Sequence, residues 1–453
     1  MRIRNRTESA RACQALRQAA ICGAALALSA SATSARDLPN FDTSPSGNPL
    51  AQPLVTSNKT ATGILPEGMG VMDRARPEYD ATGVNLGNFI LYPTVAASLS
   101  SDDNVFRVDT GEKSDLFWTL SPRLDLRSQW SEDKLQLYTQ LDRYQYDDQD
   151  TESRTDWIVG GSGRLNVING TYFDADASYF STHESRISPD LSPLAKSPTP
   201  YAQTHGDWSV THQPGRLALS AGVNFDRFDF DSTQLIGGGT INNDDRDEDI
   251  AEYFGKVAFE YLPDESVFVR AAYNTHNFDL TFDRDGFDRT SEGYRIDAGL
   301  DAMITPLIKV TAFAGYLTPD YTAPLKGANG LDFGAQADWF VTELTTIHLS
   351  ASRQFYDTII TGASTIDDRG ATLSFDHELL RNFIIQGNVG YSDQKFVGIA
   401  RDDKLVSAGV GVRYLINRNM SADADYEFSD RDSDVSGKNF NDNLFTVALR
   451  LQL

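Results

Sequence analysis

His348-Leu349-Ser350 places a histidine and a serine two residues apart, on one face of the segment if it is a strand. That spacing suits a serine activated by an imidazole base, the chemistry of some barrel lipid esterases. Such a pair needs a third group to orient the base and donors for an oxyanion, and nothing nearby visibly supplies them. On an alternating strand the pair also points inward, away from lipid. The other histidines are His183, His205, His212, His276 and His377, and no zinc spacing, phosphate loop or nucleotide fingerprint accompanies them. Gly237-Gly238-Gly239 precedes no helix. Asp245-Arg246-Asp247-Glu248-Asp249 alternates carboxylates but lacks the glycine and spacing of a calcium loop, so solvated loop charge is the expectation. The residues predict no enzyme, no cofactor and no metal site.

The elements that would carry these residues are set by a second pattern. The chain has 453 residues, 64 Asp and Glu against 40 Lys and Arg, and a formal charge of −24. So acidic a chain is a poor candidate for nucleic acid, which calls for clustered Lys and Arg. Residues 1–35 read as a secretory signal peptide: five arginines, a short apolar run over Ala19–Leu28, then small residues around Ala30-Ser31-Ala32. Both cysteines, Cys13 and Cys22, fall inside it, so the mature chain has no disulfide or thiol chemistry. Residues 36–88 are rich in Pro, Gly, Ser, Thr and Asn without a sustained period and are expected to form a flexible periplasmic arm or linker.

From Phe89 onward apolar and polar residues alternate. Phe445, Val447, Leu449, Leu451 and Leu453 share one face, and Thr446, Ala448, Arg450 and Gln452 the other. Counting such runs predicts about 18 strands between 89 and 453, among them 89–101, 115–129, 202–213, 249–261, 368–378 and 441–453. Strands this long, numerous and even suit an all-β, antiparallel, up-and-down transmembrane barrel. Short connections such as Asn169-Gly170, Pro263-Asp264 and Thr305-Pro306 alternate with long ones at 184–201, 230–248, 280–290 and 431–440. Short turns on one side and long loops on the other is the outer-membrane arrangement, which places both chain ends in the periplasm. The bilayer interior offers no water to backbone groups, so the strands must close on themselves. Tyr92, Trp118, Trp157, Trp339, Tyr391 and Tyr414 stand near strand ends, as interfacial girdles require. The partners expected are outer-membrane lipid and lipopolysaccharide. The closing strand resembles the signal read by barrel-assembly machinery, although it ends on Leu453 rather than an aromatic.

Arg76-Pro77-Glu78-Tyr79-Asp80, Gly83, Gly87, Tyr92-Pro93, Asp102-Asp103-Asn104-Val105-Phe106, Gly237 to Asp247 and Asp376-His377-Glu378-Leu379-Leu380-Arg381-Asn382 together resemble an outer-membrane β-barrel porin family. That family is often linked with exopolysaccharide gene clusters of Gram-negative bacteria. The resemblance runs over about residues 71–453, by the strand pattern. It implies a porin-like channel serving exopolysaccharide export or surface assembly, with export components as partners.

If the apolar set faces lipid, Arg123, Arg127, Arg164, Lys309, Arg413 and Arg450 line the interior, most of them toward the turn end, as candidate contacts for ions or acidic glycans. Asp102, Asp103, Asp147, Asp148, Asp244, Asp245, Asp247 and Asp249 crowd the loop end and would give that mouth a negative potential. The plainer reading is that such charges pair across neighbouring strands. A plugged structural or adhesive barrel, or a lipid or glycan hydrolase, would share this outline.

Overall fold

The computed structural model describes residues 69–453, so the expected signal peptide and residues 36–68 of the expected arm lie outside it. Eighteen antiparallel strands form one closed wall: β1 (Phe89–Asp102), β2 (Asp115–Ser128), β3 (Lys134–Tyr146), β4 (Arg154–Ile168), β5 (Thr171–His183), β6 (Pro200–His212), β7 (Leu217–Phe230), β8 (Glu248–Leu262), β9 (Glu265–Phe278), β10 (Ser291–Thr305), β11 (Ile308–Tyr321), β12 (Gly330–Thr342), β13 (Thr345–Asp357), β14 (Thr365–Leu380), β15 (Phe383–Phe396), β16 (Asp402–Asn417), β17 (Met420–Ser433) and β18 (Phe440–Gln452). Each strand pairs with its neighbours in sequence. The seam closes where β1 meets β18, with Thr94 opposite Gln452 and Asp102 opposite Leu444. No strand end lies more than three residues from its expected place in the cases quoted above. Closure leaves the wall no free edge, which is what lets strands cross hydrocarbon at all.

The pleat sorts side chains as the alternation predicts. Leu99, Leu124, Val269, Leu349 and Leu449 are exposed on the outside, while Ser100, Asp125, Arg270 and Asp297 are buried on the inside. Strands of 13 to 16 residues, tilted by roughly 45°, reach about 30 Å along the barrel axis, enough to cross an outer membrane. Trp118, Trp157, Tyr391 and Tyr426 stand outward on the loop-side half, and Trp339 and Tyr414 outward near the turns. Tyr92 is the exception to the expected girdle. It shares the inward face of β1, opposite Asp125, and its ring lies 5.0 Å beneath the Arg127 guanidinium. Glycines admit large rings on the neighbouring strand: a Cβ at Gly334 would sit 2.3 Å from Phe313, and one at Gly387 2.4 Å from Phe375.

The expected arm is partly corrected. Residues 69–88 do not hang free of the barrel. Val84–Asn85 pairs with the start of β1, and Val71, Arg74 and Arg76 are buried at the turn end. The arm has little apolar surface, and its polar groups supply the contacts instead.

Candidate functional site: a lumen crossed at both ends

At the loop end the long connections fold over the mouth. In the β5–β6 loop, Glu184 accepts both Arg246 guanidinium nitrogens, at 2.9 and 2.7 Å, and both side chains are buried. Phe230 lies 3.9 Å beneath the same guanidinium. Arg186 grips Glu152 and reaches the Ala195 carbonyl at 3.1 Å. Ile187 then offers its carbonyl to Arg431 on β17, beyond the closing seam. Asp190 accepts the Thr358 hydroxyl at 2.6 Å and the Ile359 N–H at 3.3 Å, in the β13–β14 loop. One loop therefore touches β17, the β7–β8 loop and the β13–β14 loop, which no loop confined to the rim could do.

Neighbouring loops lock it in place. Lys196 donates its N–H to Gln234 and Ile236 its own to Leu194. Arg284 forks onto Asp245, and Arg289 bonds Asp283 and the Ala363 carbonyl. These pairings are charge-assisted and largely shielded from water, the setting in which they are strongest. Burial raises the Asp190 carboxyl above its usual range, against the pull of Arg246. Burial likewise pushes Asp247 up to about 6, with Asp229, Asp244 and Asp279 adding repulsion. Lys438 is held below its usual value by burial and by Arg401 and Arg431.

The acids expected to charge this mouth divide in two. Asp102 bonds Arg107, Asp245 bonds Arg284 and Asp249 bonds Arg227, so each is neutralised. Asp103 accepts two Asn443 donors and Asp247 the Phe230 N–H. Asp147, Asp148 and Asp244 are exposed.

The lumen wall below is lined with ion pairs. Arg270 donates twice to Asp297, at 3.0 and 2.6 Å, and Arg295 lies 3.0 Å from Asp332 and 3.8 Å from Glu252. The six basic residues singled out in the sequence sit on this inner face. Arg127 forks onto Asp125, Arg164 onto Asp174, and Arg413 bonds Asp423 at 2.6 Å. Arg123 donates to Gln140, and Lys309 stands in register with Asp338. Arg450 lies opposite Ser421 on β17 and Ala96 on β1. Arg123, Arg127, Arg413 and Arg450 thus form an arc around the seam near the turns, while Lys309 stands apart on β11.

At the turn end the arm lies over one side of the opening, along the arc from β13 to the seam. The Val71 N–H bonds Thr346 at 2.9 Å, and Arg76 reaches Glu378 at 2.7 Å and the Val71 carbonyl at 2.9 Å. Arg381 holds the Ala75 carbonyl, Arg418 that of Pro77 and Gln452 that of Tyr79. The segment therefore runs from β13–β14 to the closing seam. Nothing in residues 69–80 announces this, because the partners come from five strands and turns far along the chain.

His348 and Ser350 lie on the inner face, as expected. His348 Nδ1 is 2.7 Å from Asp338 and Nε2 is 3.2 Å from Asp376. Both ring nitrogens are thus engaged by carboxyl groups, and neither is free to take a serine proton.

An apolar outside, a charged inside and a closed seam define a porin-like outer-membrane β-barrel. The chain belongs to the family described as "Putative beta-barrel porin 2", whose profile matches residues 76–453. No curated protein matches it. Among solved structures, a BenF-like porin from Pseudomonas fluorescens Pf-5 is 10% identical with a TM-score of 0.44, covering 81% of this chain and 100% of that one. OccAB4 of Acinetobacter baumannii gives 10%, 0.44, 81% and 99%. OpdK of Pseudomonas aeruginosa, solved with vanillate, gives 9%, 0.41, 80% and 99%.

Proposed function

We propose that this protein is a gated channel for small charged solutes, with its turns and both chain ends in the periplasm and its loops at the cell surface. The observation that carries this reading is the inner lining of Arg, Asp and Glu, which runs from the loop end to the turn end of the wall. The loops and the arm act as gates at the two ends of that lining. Partly exposed forks at Arg127 and Arg164 support passage of carboxylated solutes, including acidic sugars, since a guanidinium pairs with a carboxylate through two parallel bonds. Export of an exopolysaccharide, implied by the resemblance, would use the same path, and a threaded polymer would have to displace both crossing segments.

Single-channel recording on the refolded chain in planar bilayers tests this. Discrete current steps are expected, blocked from the turn side by acidic oligosaccharides. Replacing Arg123 and Arg127 together with Gln should weaken that block and shift selectivity toward cations. Silence at all voltages, including for a chain lacking the β5–β6 loop, would leave a plugged structural barrel as the better account.

A further inference from the structure

Three residues that the gate does not use converge at the rim beneath the loops. Glu248 opens β8, His276 lies near the loop end of β9, and Asp357 closes β13. The first two stand on the inner wall of adjacent strands. Asp357 comes from the fourth strand beyond β9: the β12–β13 register ends at Gly334 and Ser352, and residues 353–357 stay in register with β14 alone. Its tip reaches His276 Nδ1 with Oδ2. One donor atom from each of the three residues lies within 4.8 Å of the others.

Glu248 makes this more than a histidine–aspartate pair. It is only 7% exposed, and its Oε2 has no hydrogen-bond partner. A buried carboxylate oxygen left bare beside a second carboxylate is costly, because two like charges share one water-poor site. Arg246, the nearest guanidinium on the neighbouring loop, is already committed to Glu184. A dication would satisfy the bare oxygen, balance both carboxylates and replace the imidazole proton, which leaves to solvent as the metal binds.

We propose that Glu248, His276 and Asp357 form a binding site for a divalent transition metal, and that the bound ion clamps the tip of the β13–β14 hairpin to β8–β9, holding the outer mouth in its narrow form. One imidazole nitrogen and two carboxylates suit Zn²⁺ or a neighbouring first-row ion better than Mg²⁺ or Ca²⁺, which prefer oxygen alone. A metal at about 2.0–2.2 Å from each donor replaces the direct His276–Asp357 hydrogen bond with coordinate bonds that also take in Glu248, so the hairpin tip is fixed to the wall by three ligands rather than one proton. Asn274 is a positioning residue. Its side-chain nitrogen lies 3.2 Å from His276 Nε2, and by turning its amide it accepts the Nε2–H that a metal on Nδ1 requires. The clamp deepens the gated-channel reading and rests on it, whereas the metal site does not.

Equilibrium dialysis of the refolded chain in detergent against Zn²⁺ alone, with Mg²⁺ in parallel, reads the site whether or not the protein conducts. About one Zn²⁺ retained per chain is expected, with no retention of Mg²⁺. His276→Gln should abolish retention, Glu248→Gln should weaken it severely, and Asn274→Leu should weaken it about tenfold. Strand content by circular dichroism verifies that each variant folds. No retained Zn²⁺, or retention unchanged in both His276→Gln and Glu248→Gln, overturns the site. In bilayers, Zn²⁺ on the loop side should reduce the current of the unaltered chain and leave that of His276→Gln unchanged. Bound Zn²⁺ with undiminished current overturns the clamp alone.

Discussion

At the loop end, the segment that crosses the mouth is tied by buried guanidinium–carboxylate pairs, Arg246 with Glu184 and Arg186 with Glu152. At the turn end, the arm is anchored by Arg74 and Arg76 on Glu378, with Glu343 3.9 Å from Arg74, and by the Val71 N–H on Thr346, and it offers backbone carbonyls to Arg381, Arg418 and Gln452 at the exposed rim. The first arrangement leaves a buried charge whenever one partner lets go. The second holds one buried pair of the same kind, Arg76 with Glu378, and beyond it lets contacts exchange for water one at a time. The loop cover should therefore open as a unit, and the arm should detach in steps, with its Glu378 contact the last to go.

The sharpest way to break that contrast is to remove the cover. Deleting residues 186–196 should raise single-channel conductance several-fold, more than any change at the turn end, and equal rises from deleting 69–80 would erase the distinction. Next in size is Arg246→Ala. Leaving Glu184 buried without its partner costs about 3–5 kcal/mol, and limited proteolysis should then cut within 184–199 far faster. Adding Glu184→Gln should restore part of the protection. At the other end, Glu378→Gln weakens bonds worth about 1.5–3 kcal/mol each to a charged group, and should expose residues 69–80 to protease while the loops stay resistant.

The smallest effect expected is one of pH. Asp247 sits in the loop cover with its carboxyl raised from 3.8 to about 6. A raised carboxyl means the folded cover holds a proton that the open chain releases, so the cover loses stability as pH rises through that window and gains it as pH falls. Protease resistance of 231–247 should be greater near pH 5 than near pH 7, and Asp247→Asn should flatten the difference. A cover that loosens on acidification would contradict the assignment.

The inward turn of Tyr92 was legible in the sequence: it shares parity with Thr94 and Ala96, opposite to Val95 and Leu99, and proximity to a strand end was the weaker guide. Asp423 opposite Arg413, and Asp174 opposite Arg164, likewise follow once strands are laid in register. Contacts between loops and strands that are not neighbours in the wall did not follow. Glu184 and Arg246 are 62 residues apart and His276 and Asp357 81, and no local period links them.

By itself the sequence determined the wall: a side-chain period of two sorts lipid-facing from inward residues, and backbone groups in hydrocarbon demand a closed ring, so strand number, order and seam follow from short-range pattern. Only the tertiary structure decided what lies within that ring, because the path of the loops, the docking of 69–80 and the meeting of Glu248, His276 and Asp357 depend on which distant charges the barrel's curvature brings within bonding distance.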